Sequence, residues 1–146
     1  YKGNNITIAV FDAGFVGVDD VAAFDSVRLN GRIDLEASYD FVSHQHNVFH
    51  ADDHGTEVLS LLAARQASFT GAAHHARYQL YITEDVPTEY RIEEYNWLFA
   101  AERADSAGAD IISSSLGYTT FDDDDMSYTP ADMNGNKTTV ARAAQD

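Results

Sequence analysis

The stretch FHADDHGTEVLSLLAA, residues 49–64, sets two histidines, two aspartates and a Gly-Thr pair directly in front of an apolar run. Val58, Leu59, Leu61 and Leu62 recur as in a helix buried on much of its surface, so a helix is predicted from about His54 to Arg65. A histidine at a helix mouth has a definite electrostatic problem. The positive end of the helix dipole disfavours the imidazolium and lowers its pKa. An acid can oppose that effect. By accepting a hydrogen bond from Nδ1–H it fixes the tautomer and stabilises the charge that forms when Nε2 takes a proton. Gly55 allows close backbone approach, and Thr56 can satisfy free N–H groups of the first turn.

An acid of that kind stands near the N-terminus. Residues 6–11, Ile-Thr-Ile-Ala-Val-Phe, read as a buried strand that ends in the turn signal Asp12-Ala13-Gly14. Asp12 as a turn cap and His54 as a helix cap is the plainer reading of the same two residues. Outward from these, residues 15–32 are mixed and hold a short helix between Val16 and Val27. A strand is predicted over Ile33 to Val42, and a polar, histidine-rich loop over 43–53. Arg77 to Thr83 reads as a strand. Ile92, Tyr95, Leu98 and Phe99 recur near helical spacing over 91–107, and Gly108 stops that helix. Ile111 to Gly117 reads as a strand, 118–136 as an acidic loop, and Thr138 to Asp146 as the start of another helix.

Strands alternating with helices argue for an α/β fold, a mostly parallel sheet flanked by helices. Sites in such sheets form beyond the carboxyl ends of the strands. Asp12, His54 and Ser115-Leu116-Gly117 would then meet on one edge. The chain of 146 residues carries 24 acidic and 9 basic side chains, a formal charge of -15, which argues against nucleic acid as a partner. It has no cysteine, so disulfides and thiolate chemistry are excluded, and no apolar stretch approaches a membrane span.

Three segments, ITIAVFDAGF (6–15), HGTEVLSLLAA (54–64) and GADIISSSLGY (108–118), resemble in order and character the first half of the subtilisin-like serine peptidases, the subtilases. GAAHHARYQLY (71–81) is similar to the stretch that follows the histidine helix in that family. The resemblance implies a serine endopeptidase acting on polypeptides, with Asp12 and His54 as catalytic residues. It implies that Ser115, Leu116 and Gly117 bind the substrate backbone. No cofactor is required for that chemistry, although members often carry structural calcium, and most are secreted or periplasmic. Ala13 departs from the usual Ser or Thr. The Gly-Thr-Ser motif of the nucleophile does not occur, and Ser113, Ser114 and Ser115 read as strand serines. Residues 1–146 are therefore expected to be the N-terminal part of a subtilisin-like domain, inactive alone. Such a part would bind the missing C-terminal half or self-associate through the sheet edge at 111–116.

Other readings compete. His44, His46, His50 and His54, with Asp52 and Asp53 beside them, would suit a metal-dependent hydrolase, though Asn47-Val48-Phe49 breaks the usual ligand spacing. Asp122 to Asp125 suit either a calcium site or a solvated loop. A non-catalytic pseudoenzyme or binding module fits a chain whose serine is truly missing. In the peptidase reading Asp52, Asp53 and His50 are bystanders. Tyr118 shapes a subsite, and Trp97 and Leu98 belong to the core.

Overall fold

The computed structural model describes residues 1–145 of the chain. Four strands, β1 (Thr7–Asp12), β2 (Tyr39–Asp40), β3 (Arg77–Ile82) and β4 (Ile111–Ser114), form one sheet in the order β2-β3-β1-β4, and every pairing is parallel. β1 is central, with Thr7 opposite Arg77 and Asp12 opposite Ile82 on one side, and Ile8 opposite Ile111 and Phe11 opposite Ser114 on the other. A strand covered on both faces carries apolar residues at almost every position, as residues 8–11 do.

The period of two then sorts these side chains into two cores. Ile8 and Val10 join Phe15, Phe24, Leu59, Tyr78, Leu80 and Ile82 on one face. Ala9 and Phe11 join Tyr81, Trp97, Ala100, Ala104, Tyr118 and Phe121 on the other. Phe11 meets Tyr81 and Trp97 edge-on, with ring centroids 5.3 Å and 5.4 Å apart.

The first core is closed by helix α2 (His54–Ala63), whose buried positions Gly55, Leu59 and Ala63 recur every four residues. It ends two residues before the predicted Arg65, because Ala64 turns extended and the Arg65 N–H goes to the carbonyl of Ala23. Leu61 lies exposed rather than in the buried face. The short helix expected within 16–27 appears as a 3-10 turn at Ala22–Phe24 followed by α1 (Asp25–Arg28).

The second core is closed by helix α3 (Ile92–Ser106), terminated by Gly108 at φ +79 as the sequence predicts. The face it buries is not its apolar stripe. Ile92, Tyr95 and Phe99 are exposed, and Glu93, Glu94, Asn96, Trp97, Ala100 and Ala104 are buried. The buried polar groups have partners in the loops above the helix. Glu93 accepts from the Asp85 N–H at 3.1 Å, Glu94 from the Tyr128 hydroxyl at 2.7 Å, and Asn96 donates to the Thr83 carbonyl at 3.3 Å. Burial pushes the pKa of Glu93 up to about 8. Trp97 is core, as read from sequence, whereas Leu98 is only half-buried.

Two predicted strands are shorter than expected. Of Ile33–Val42 only Tyr39–Asp40 pairs in a ladder, with one bridge from Ile33 to Tyr78. Between them Asp34 closes a turn, accepting from Ala37 N through Oδ1 and from Ser38 N through its carbonyl, at 3.1 Å and 3.0 Å. β4 stops at Ser114, so Ser115–Gly117 lie outside the ladder.

The acidic loop is pinned rather than free. Arg91 stacks over Tyr128 at 4.1 Å and donates from Nε to the Met126 carbonyl at 2.7 Å. The terminal helix α4 (Thr139–Ala143) is capped by Thr138. Asp146, the end of the predicted helix, lies outside the described residues.

Candidate active site

Asp12 is the last residue of β1 and is fully buried. Its Oδ1 accepts from the N–H of Ala13 at 2.8 Å and lies 2.7 Å from Nδ1 of His54. Its Oδ2 is buried without a hydrogen-bond partner. Ala13 contributes only its N–H to the carboxylate.

His54 is the first residue of α2. With Nδ1 turned to the carboxylate, the imidazole stays half exposed, its side chain 49% accessible. The pKa of His54 is raised above the ordinary 6.5. The hydrogen bond to Asp12 is the largest cause, followed by the charge of Asp12 and opposed by desolvation; Asp52 and Glu57 add smaller increments. The buried acid thus outweighs the forces that would neutralise the ring.

Gly55 makes the contact geometrically feasible. A Cβ there would stand 2.8 Å from Cβ of Asp12 and 2.9 Å from the Phe15 ring, and closer still to the carbonyl of Gly14. Only a residue without a side chain lets the first turn of α2 lie against the end of β1. Thr56 does not cap the helix as predicted: its hydroxyl donates to the Val16 carbonyl at 2.8 Å, tying the helix to the chain that follows Asp12.

Asp52, read from sequence as a bystander, holds the helix start. Its Oδ1 accepts from the His54 N–H at 2.8 Å, and its carbonyl accepts from the Val16 N–H at 3.1 Å. The signal was present in the spacing, since an Asp two residues before a helix is placed to close an Asx turn. Asp53 occupies the cap position with no side-chain hydrogen bond.

Ser115 follows the position opposite Phe11, so it leaves the sheet at the same carboxyl edge as Asp12. Ser115 and Gly117 are exposed, and Leu116 packs against the second core. Gly117 lines a cavity of about 310 Å³ with Glu89, Thr119, Thr120, Phe121 and Asp122. Tyr118 is buried, its hydroxyl bonded to Glu84, so its side chain belongs to the second core. Ser114 Oγ accepts from Nε1 of Trp97 at 3.1 Å, as expected of a strand serine.

The histidine-rich loop does not converge. His46 faces the Ser38 carbonyl at 3.2 Å, His50 lies 3.1 Å from Asp40, and His54 meets Asp12. Among the described residues no three His, Cys, Asp or Glu side chains come together to hold a metal, in this loop or in the aspartate run.

The sequence profile of the subtilase family matches residues 3–145. No curated protein matches the chain in sequence. Among solved structures the fold is similar to the MycP3 protease from the type VII (ESX-3) secretion system, with a TM-score of 0.68 at 22% identity. The match covers 98% of this chain and 37% of that one, so the chain spans little more than a third of that protease. A profile that runs across nearly the whole sequence, over a parallel sheet whose carboxyl edge carries the aspartate–histidine contact, establishes that the chain belongs to the subtilase family.

Proposed function

We propose that the protein is a serine endopeptidase of the subtilisin type, that residues 1–146 form the N-terminal part of its catalytic domain, and that Asp12 and His54 are two of its three triad members. The observation that carries this reading is the 2.7 Å contact between Asp12 Oδ1 and His54 Nδ1, made between residues far apart in sequence. Asp12 holds the ring with Nδ1–H as donor, leaving Nε2 to take the proton of a serine hydroxyl as it attacks the peptide carbonyl. The same proton then passes to the leaving amine, and Asp12 remains ionised throughout.

On this proposal the nucleophile lies outside these residues. The sequence holds no Gly-Thr-Ser motif, and no hydroxyl among the described residues is hydrogen-bonded to His54 Nε2. These residues alone are then inactive. Ser115–Gly117, with backbone free of the ladder, would receive the substrate as an added strand.

The outer edge of β4 would take the strand that completes the sheet. Ile111 and Ile112 are 50% and 40% exposed there, beside a groove of about 770 Å³ lined by Trp97, Leu98, Ala101 and Ala143. Either the remainder of the domain or a second copy would fill it. Amides 111–114 that do not bond to β1 are expected to exchange fast in a dilute monomer and slowly once the remainder is added. Full protection in the monomer would contradict this.

A secreted or periplasmic location accords with the likeness to a secretion-system protease, and no described helix is long and apolar enough to cross a membrane.

The base must be neutral to act, and Asp12 raises its pKa. The acid limb of kcat/KM in the full-length protein is therefore expected above pH 6.5, and Asp12→Asn should move it down. Stability runs the opposite way. A histidine whose folded pKa is raised contributes fully below 6.5 and loses that contribution as pH rises through the raised value. Urea unfolding at several pH values should show this decline for the wild type and a flatter profile for His54→Gln. An acid limb below 6.5, or identical unfolding profiles, would count against the assignment.

A further inference from the structure

A second aspartate–histidine pair lies one loop away from the first. Asp40, at the end of β2, is fully buried. Its Oδ1 accepts from the N–H groups of Val42 and Ser43 at 2.8 Å and 2.9 Å, closing the turn after the strand. Its Oδ2, equally buried, accepts no hydrogen bond, and the ring nitrogen Nε2 of His50 stands 3.1 Å from it, within ion-pair distance. The Asn47 carbonyl is also 3.1 Å from that nitrogen. The side-chain amide nitrogen of Gln45 lies 3.1 Å from it as well, so His50 Nε2 is held among Asp40, Gln45 and Asn47.

His50 is also where the loop turns toward the active site. Its carbonyl presses on Gly14, two residues after Asp12, and accepts from the Asp52 N–H at 3.1 Å. Between them Ala51 adopts φ +72, a left-handed conformation that costs a residue with a side chain about 1 kcal/mol and persists only if its neighbours hold it. On the far side Asp52 is fixed by Val16 and by the His54 N–H. The chain from Asp40 to His54 is thus a short series of anchors with one strained link.

We propose that Asp40 and His50 are positioning residues of the active site: their pair bolts residues 47–53 to the end of β2 and so sets where His54 stands against Asp12. The inference rests on the reading of Asp12 and His54 as the catalytic pair. The carboxylates that act on His54 directly are Asp12, Asp52 and Glu57, and Asp40 is not among them. The loop is the covalent route by which Asp40 reaches His54.

The test uses two variants of the 146-residue chain. Asp40→Asn keeps Oδ1 for the two backbone donors and removes the charge facing His50; His50→Gln alters the other partner. Histidine titrations and the Nδ1 proton of His54 are followed by NMR, with circular dichroism as a check on folding. Both variants are expected to fold, to titrate His54 at lower pH than wild type, and to shift or broaden its low-field Nδ1–H resonance. His44→Asn, in the same loop at φ +55, should change neither. In the full-length protease Asp40→Asn should lower kcat about tenfold with KM unchanged, the size expected of a small misplacement of a catalytic group.

Variants that fold and leave His54 as in wild type would overturn the positioning role while leaving the catalytic pair intact. Unfolding of both would also overturn it, by making the pair a requirement of the fold. A wild-type His54 that titrates ordinarily, with no low-field proton, would remove the catalytic pair and this inference with it.

Discussion

Replacing His54 by alanine in the full-length protein is expected to lower kcat by about five orders of magnitude, with KM little changed. In the proposed mechanism the imidazole holds the serine proton in the transition state and makes no other demand on the bound substrate. Losing it therefore subtracts from kcat rather than from binding. Asp12→Asn should cost about four orders, because an amide presents either the wrong charge or the wrong donor to Nδ1 and the ring loses its tautomer. The double variant should be hardly worse than His54→Ala alone, since the two side chains act as a unit through one 2.7 Å contact. Steady-state kinetics on a peptide substrate measures all three. Turnover in His54→Ala within tenfold of wild type would end the peptidase mechanism described above.

Gly55→Ala is expected to destabilise the fold by about 3 kcal/mol or more and to separate His54 from Asp12. The added methyl would overlap the Gly14 carbonyl and crowd Cβ of Asp12 and the Phe15 ring. Two of those three are parts of the backbone or fixed to it, and the ring is fully buried, so none can yield cheaply. Relief would come by lifting the first turn of α2, which carries His54. Gly117→Ala is the control: a Cβ there meets nothing within 4 Å, so stability should hold within about 0.5 kcal/mol. Chemical denaturation of the two variants gives the comparison. Equal midpoints would show that α2 does not pack against β1 as closely as described.

Most of the sheet was legible in the sequence. Residues 8–11 and 78–82 read as strands because burial on both faces leaves a nearly unbroken apolar signal. The aspartate and histidine were legible for a different reason: each ends or begins an element, and each has a glycine within two residues after it that a tight turn or a close approach explains. The strand predicted over 33–42 failed because Asp34 diverts residues 34–38 into a turn, a competition between side chain and ladder that alternation cannot reveal. α3 was found at the right place, but the face it buries could not be read from its apolar stripe. Its apolar residues Ile92, Tyr95 and Phe99 face outward, and two glutamates face inward.

What the sequence by itself determined is the order of elements, their approximate ends, and the two residues that stand where strands finish and a helix begins. These follow from local patterns, in which neighbours a few positions apart decide the outcome. Only the tertiary structure decided which polar groups are buried and what they do. Glu94 is satisfied by Tyr128 and Val140, and Asp52 turns from bystander to clamp when Val16 comes alongside. Asp40 has His50 for a neighbour because the loop between them folds back. A buried charge is tolerable only beside a partner, and these partners arrive from elsewhere in the chain, so no periodicity records them.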